Sequence, residues 1–383
     1  GASQWQHPAI LALAAVGGVW LVSFAIVTAN TGILILIVSR GVGVRALAAG
    51  AIAVAATAGP VAFALTPPAP ITRHVTIALV QAGPKKTTTD ASLLLSNAIS
   101  ANPGLIVWGE SSVGFLTPAL LTQIQSLART QRAEVLANED SLHDGKKTKV
   151  AVLISGTGIT GEYTKTRLVP FGEYIPFRQQ LSWLTSISKA APVNMTPGTG
   201  AHDLRAALPD GHSLSIGVLI CFESAFPDMS RVDTDHGAQV IIYQTSDTTF
   251  QDTWALAQHA SLGALRAAET GRPVVQAALT GDSAAFDSRG RLLSWFDGAH
   301  SGVVIVHLAL PPATARTPFD RLGDYVPWTA VGIALLYAVG AALRPGSPGA
   351  RRRIFLARNE SVSPSENAPR SGAMAGRDQD ETV

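Results

Sequence analysis

Residues 8–39, PAILALAAVGGVWLVSFAIVTANTGILILIVS, run without a single charged side chain. A bilayer-spanning helix needs about 20 consecutive apolar residues, because no water is present to satisfy exposed backbone groups. This run therefore predicts a spanning helix with length to spare. A second uncharged run, 46–65 (ALAAGAIAVAATAGPVAFAL), is richer in Ala and predicts another span, with a buried helix of a water-soluble fold as the alternative. The short loop between them holds Arg40 and Arg45. A third run, 325–343 (YVPWTAVGIALLYAVGAAL), opens with Tyr325 and Trp328, residue types that favour the membrane–water interface. Arg344, Arg351, Arg352 and Arg353 follow it.

Cytoplasmic loops carry an excess of Lys and Arg. The Arg40–Arg45 loop and the arginine-rich end are thus expected in the cytoplasm, with everything between the second and third runs on the opposite face. Composition agrees with a mixed membrane and water-soluble chain: charged residues make up 15% of the 383, against about 25% in an average soluble domain. A net charge of +2 without a basic stripe argues against a nucleic-acid partner. One cysteine excludes an intramolecular disulfide. The chain opens on Gly1, in apolar sequence without the basic start and cleavage site of a signal peptide, and is expected to be a piece of a longer membrane protein. Thr66-Pro67-Pro68-Ala69-Pro70 reads as a stiff linker. The end, 345–383, is rich in Pro, Ser, Gly, Arg and Glu and is expected to be a disordered cytoplasmic tail.

The segment 72–322 is expected to be one domain. Strand-like runs are predicted at 75–82, 104–109, 134–138, 149–155, 213–220, 238–245, 272–279 and 302–308, with helices at 91–100, 118–131 and 253–270. Several strands are continuous apolar runs, as expected when both faces of a sheet are covered. The alternation is that of an α/β fold, and no internal repeat is evident.

Reactive groups in such folds gather at the carboxyl ends of strands. Cys221 directly follows the apolar strand SLSIGVLI, where a sharp turn would expose a side chain and free backbone N–H groups for an oxyanion. A lone cysteine is equally at home as inert core. Glu110 ends LIVWGE in the same way; burial there predicts a raised pKa and a general base near neutrality, the alternative being an ordinary loop carboxylate. Lys165 lies in YTKTRLVPFGEYIPF, unusually aromatic and Pro-rich for a loop. An ammonium there would stabilise an oxyanion and favour thiolate; a solvated lysine is the alternative.

The order Glu110, Lys165, Cys221, each in its own motif, resembles the Glu-Lys-Cys triad of the nitrilase superfamily. HPAILALAAVGGVWLVSF, IVWGES, YTKTRLVPFGEYIPF, ICFES, QHASLGALRAAETGRPVVQAALTGDSAAFDSRG and TPFDRLGDY together are similar to one membrane-bound branch, the apolipoprotein N-acyltransferases. The resemblance covers most of the chain and implies a nitrilase-like αββα sandwich attached to transmembrane helices. It implies Glu110 as general base, Lys165 as oxyanion support and Cys221 as acylated nucleophile, with Glu173, Glu223 and Phe222 supporting them. It implies a phospholipid acyl donor, the N-terminal amine of a diacylglyceryl-cysteine lipoprotein as acceptor, a plasma-membrane location, and no cofactor or metal. Three departures stand out. Gly109 occupies the place of a usual Pro, KKTKVAVLIS lacks the usual Asn and Tyr, and Ser246-Asp247-Thr248-Thr249-Phe250 replaces an Asn-Asp run with a nearby Trp. Two other readings remain at this point: a membrane-bound amidase that uses water as acceptor, and a degenerate scaffold for a partner enzyme.

Overall fold

The computed structural model describes residues 1–83, 88–143, 145–183, 185, 193–200, 202–251 and 253–343. The arginine cluster from Arg344 onward and the expected tail at 345–383 lie outside the described residues. In chain order the elements are α1 (Pro8–Val38), α2 (Val42–Leu65), β1 (Arg73–Gln81), α3 (Thr88–Asn97), β2 (Leu105–Trp108), α4 (Pro118–Gln131), β3 (Glu134–His143), β4 (Lys146–Ile154) and β5 (Ile159–Thr164). Then come a short α5 (Arg178–Leu181), β6 (Asp203–Ala207), β7 (Ser213–Ile220), α6 (Pro227–Asp235), β8 (Val240–Thr245), α7 (Ala255–Thr270), β9 (Val274–Ala278), β10 (Ser283–Phe286), β11 (Leu292–Phe296), β12 (Gly302–Leu310), α8 (Pro318–Leu322) and α9 (Tyr325–Leu343).

Two sheets form, ordered β12-β1-β2-β3-β4-β5 and β11-β10-β9-β8-β7-β6. Each has a parallel trio at its centre, β1-β2-β3 in one and β7-β8-β9 in the other, flanked by antiparallel strands. Alternate residues of the first sheet enter two different cores. Ile77, Leu79, Leu105 and Val107 join the second sheet's Ile216, Val218 and Ile242. Ala78, Val80, Ile106 and Trp108 pack instead with Ile124 and Leu127 of α4. α7 covers the far side of the second sheet. The layers are thus αββα, which explains the continuous apolar runs of the central strands.

The strands that the hydrophobic pattern did not predict are β5, β6, β10 and β11. Three of them carry polar or exposed residues because they lie at or beside a sheet edge, and β10 is buried but built from Ser, Ala, Ala and Phe. The helix α6, PDMSRVDTD, is mostly polar and was likewise not predicted.

α1 is one helix only by hydrogen-bond continuity. At Gly17 (φ −132°, ψ 24°) and Gly18 (φ 68°, ψ −173°) the backbone leaves the helical region. Before the break, Leu11, Leu13 and Ala14 join the main core and Ala12 is buried beside them. After it, Trp20, Phe24, Val27, Leu34, Ile37 and Val38 are exposed. The break frees the Val19 N–H, which donates to the Glu269 carboxylate of α7 at 2.7 Å. A side chain on Gly18 would place its Cβ 2.5 Å from Phe319 Cε2. Only glycine fits there on both backbone and steric grounds. From Val19 to Val38 the helix rises about 30 Å at 1.5 Å per residue, close to the hydrocarbon thickness of a bilayer. The apolar run therefore serves two ends: its first half docks on the domain and its second half has the length of a span.

α1, α2 and α9 are each long and apolar enough to cross a membrane. Residues 1–328 form one compact unit, and the remainder of α9 belongs to a second. That remainder presents Val331, Ile333, Leu335, Leu336 and Tyr337 as exposed apolar side chains.

Candidate active site

Three strand ends carry the predicted residues. Glu110 follows β2, Lys165 continues β5, and Cys221 opens a single 3-10 turn, Cys221–Ala225, straight after β7. Cys221 has φ +51° and Ser111, next to Glu110, has φ +57°. At both strand ends the backbone turns sharply through a conformation that non-glycine residues seldom adopt.

The approach of the two sheets brings these ends together. The Glu110 N–H donates to Thr245 O at 3.1 Å, and the buried Gln244 side chain donates to Trp108 O at 2.8 Å and Leu136 O at 3.1 Å. Gly109 is required by this closeness, since a Cβ there would stand 2.1 Å from the Leu279 backbone nitrogen. The sequence departure at Gly109 is thus matched by a backbone that leaves no room for a side chain.

Lys165 Nζ lies 3.2 Å from Glu110 Oε1 and 2.6 Å from Glu173 Oε1. Glu173 also accepts from the Val169 N–H at 2.8 Å, so it fixes the lysine against its own loop. The Cys221 thiol neighbours the Glu110 carboxyl closely enough to help lower its pKa. Burial pushes the Glu110 carboxyl up, but Lys165 and Lys149 pull it down and prevail, leaving it below its ordinary value. The raised pKa expected from the strand-end position is therefore reversed, because two ammonium groups outweigh desolvation. Burial also opposes the Lys165 charge, yet Glu110, Cys221 and Glu173 hold it above its usual range. The Cys221 thiol is raised well above normal, first by burial and then by the Glu110 charge, with Lys165 only partly offsetting them. Lys165 does pull the thiol toward thiolate, as expected, but burial and the Glu110 charge outweigh it in the resting site. Carboxylate, ammonium and neutral thiol stand side by side.

Glu223 does not face the thiol. Fully buried, it accepts from the backbone N–H groups of Ile220 (2.7 Å), Thr166 (2.7 Å) and Arg167 (2.9 Å) and from the Tyr163 hydroxyl (2.8 Å). It ties the turn after β7 to the loop after β5. Phe222 packs edge-on against Phe226, with ring centroids 4.9 Å apart. Both line a cavity of about 490 Å³ together with Arg167, Leu168, Tyr174 and Met195. Arg167 stacks over Phe226 at 4.3 Å and pairs with Asp228.

Residues not singled out from sequence complete the site. Lys149 is buried and lies 3.5 Å from Glu110 Oε1. Its signal was a lysine at the head of an otherwise apolar strand. His259 and Asp247 sit on the other side of Cys221. His259 Nδ1 lies 2.7 Å from Asp247 Oδ1, and Nε2 is 3.2 Å from Cys221 O and 3.0 Å from Ser224 Oγ. Burial opposes the imidazolium, but the Asp247 bond and charge raise the His259 pKa. The ring thus bridges Asp247 to the carbonyl of the left-handed Cys221 and to Ser224. Potential ligand atoms of Cys221, Asp247 and His259 lie within 4.8 Å of one another. Both imidazole nitrogens are already engaged by protein partners, so the trio reads as a hydrogen-bonded support of the turn rather than a metal centre.

A family model for carbon-nitrogen hydrolase matches residues 76–316. An apolipoprotein N-acyltransferase of Geobacter metallireducens is 32% identical over 260 residues, which cover 66% of this chain and 48% of that protein. An apolipoprotein N-acyltransferase of Rhizobium rhizogenes is 30% identical over 295 residues, covering 71% and 53%. The chain spans about half the length of these curated relatives. Among solved structures, a Saccharomyces cerevisiae member of branch 10 of the nitrilase superfamily aligns with a TM-score of 0.48 at 15% identity, covering 62% of this chain and 91% of that one.

Proposed function

As the chain belongs to the carbon-nitrogen hydrolase family, we propose that it is an N-acyltransferase that moves a phospholipid acyl chain through a Cys221 thioester to the N-terminal amine of a diacylglyceryl-cysteine lipoprotein. The observation that carries this reading is the meeting of Glu110, Lys165 and Cys221 in a unit that also contains apolar helices α1 and α2. A soluble amide would not require such helices, whereas substrates anchored in a bilayer must be met at its surface. The domain boundaries that go with this reading are spans in 1–66, a catalytic domain at 72–322 and a last span at 325–343.

In the first step Glu110 takes the Cys221 proton as sulfur attacks the ester carbonyl. The carbonyl oxygen becomes an oxyanion held by Lys165 and by N–H groups of the turn after Cys221. Lys165 donates to Glu110 and Glu173, which leaves its third ammonium proton for this charge. As the intermediate collapses, the ester C–O bond breaks and the proton on Glu110 passes to the departing alkoxide, releasing lysophospholipid. In the second step the acceptor amine attacks the thioester carbonyl. Glu110 takes a proton from nitrogen and returns it to sulfur as the C–S bond breaks. The apolar cavity beside Phe222 and Phe226 suits an acyl chain, and Arg167 at its wall suits a phosphate.

The topology that we propose puts 72–322 outside the cytoplasm in a plasma membrane, with the Arg40–Arg45 loop inside. The deciding experiment is incubation of the purified protein with phospholipid radiolabelled in its acyl chain. Label on the protein that hydroxylamine removes, that moves to a diacylglyceryl-cysteine peptide, and that is absent from Cys221→Ala is the expected result. Label in Cys221→Ala equal to wild type overturns the mechanism, and release of label only to water points to hydrolysis instead.

A further inference from the structure

Lys149 belongs to a row of charged residues built by strand register. Asp140 on β3 is the Cα partner of Lys149 on β4, and the Lys165 N–H bonds to Lys149 O, which continues the β4–β5 ladder. The two lysines are therefore cross-strand neighbours, an arrangement that like charges ordinarily disfavour. Both ammonium groups converge on one atom, Glu110 Oε1, at 3.2 Å from Lys165 and 3.5 Å from Lys149. Lys149 is further held by Asp140 Oδ1 at 2.7 Å and Ser111 Oγ at 2.6 Å.

The shorter contact of Lys165 is with Glu173, at 2.6 Å. Without Lys149, Glu110 and Glu173 would share one buried ammonium, and a second carboxylate in such a site tends to take up a proton. The groups facing Glu110 are Lys149 from β4, Lys165 from the end of β5 and the Cys221 thiol from beyond β7. Asp140, Glu173 and the Asp247–His259 pair stand behind them.

We infer that Lys149 is a positioning residue that clamps the Glu110 carboxylate through Oε1 and keeps it a charged proton acceptor for Cys221. This rests on the reading of Glu110 as the base. It also assigns a task to the third lysine of the stretch KKTKVAVLIS.

The test is the pH dependence of Cys221 alkylation by iodoacetamide in the whole chain, held in phospholipid vesicles, with phospholipid-derived thioester measured in parallel. In Lys149→Met the acid limb should move up by about one pH unit, so the rate on that limb falls about tenfold while the plateau is kept. Lys149→Arg should restore the wild-type limb. Asp140→Asn should move the limb down, because Lys149 then answers to Glu110 alone. A Lys149→Met rate lowered by one factor at every pH, or an Asp140→Asn limb that moves up, overturns the inference. Should Lys149→Met not fold, the arginine and asparagine variants still decide. If wild type forms no thioester but the limbs shift as described, the role of Lys149 stands and the acyl-donor reading fails.

Discussion

Glu110 and Lys165 are in contact, yet the proposed mechanism gives them different tasks, which pH should separate. Glu110 is held below its ordinary pKa of 4.5, so wild-type acylation should stay level from neutrality down to about that value and fall only as the carboxylate is protonated. Replacing it by Gln removes the proton acceptor, a loss of about 10²–10⁴-fold at neutral pH. The same change removes the negative charge that helps to raise the Cys221 thiol. Glu110→Gln should therefore regain part of its acylation at alkaline pH, where the thiol ionises unaided. Lys165→Met should lose about 10²–10³-fold and regain none, since the missing oxyanion support is needed even by a full thiolate. A pH series of thioester formation in both variants checks this, and recovery of the lysine variant alone would reverse the two roles.

At the level of elements, the broken helix α1 joins membrane and domain. Its hinge depends on Gly18, whose backbone lies in a region open essentially to glycine alone and whose missing side chain makes room for Phe319. Gly18→Ala should cost about 1–3 kcal/mol in backbone strain, with the Phe319 clash in addition. The expected result is a lower Tm and faster proteolysis within residues 1–17, as Leu11, Leu13 and Ala14 leave the core and Glu269 loses the Val19 N–H. Membrane insertion should be unchanged, because the stretch from Val19 to Val38 is untouched. Wild-type Tm and protease resistance in this variant would show that α1 docks without the hinge.

For the whole molecule, the testable quantity is sidedness. If the Arg40–Arg45 loop is cytoplasmic, as proposed, a reporter fused after Pro70 should report the outer face and one fused after Arg353 the inner face. The same side for both would mean that one of the three apolar helices does not cross.

The sequence by itself determined what composition and local pattern control: the apolar runs, the α/β alternation, and the strand-end positions of Glu110, Lys165 and Cys221. Charge-free length and hydrophobic period are local properties, so they are visible without coordinates. Strands β5, β6 and β11 escaped because edge strands, largely exposed, carry no clear burial period, and β10 because its Ser-Ala-Ala-Phe is short and mostly small. The break at Gly17–Gly18 escaped because an apolar helix half that docks on protein reads the same as one facing lipid. The tertiary structure alone decided the electrostatics. Lys149 lies well away in sequence from Glu110, and only the pairing of β3, β4 and β5 with the turn after β2 sets it 3.5 Å from that carboxylate. Burial at a strand end argued for a raised carboxyl; two lysines converging from neighbouring strands lowered it, and that balance depends on distances no spacing encodes.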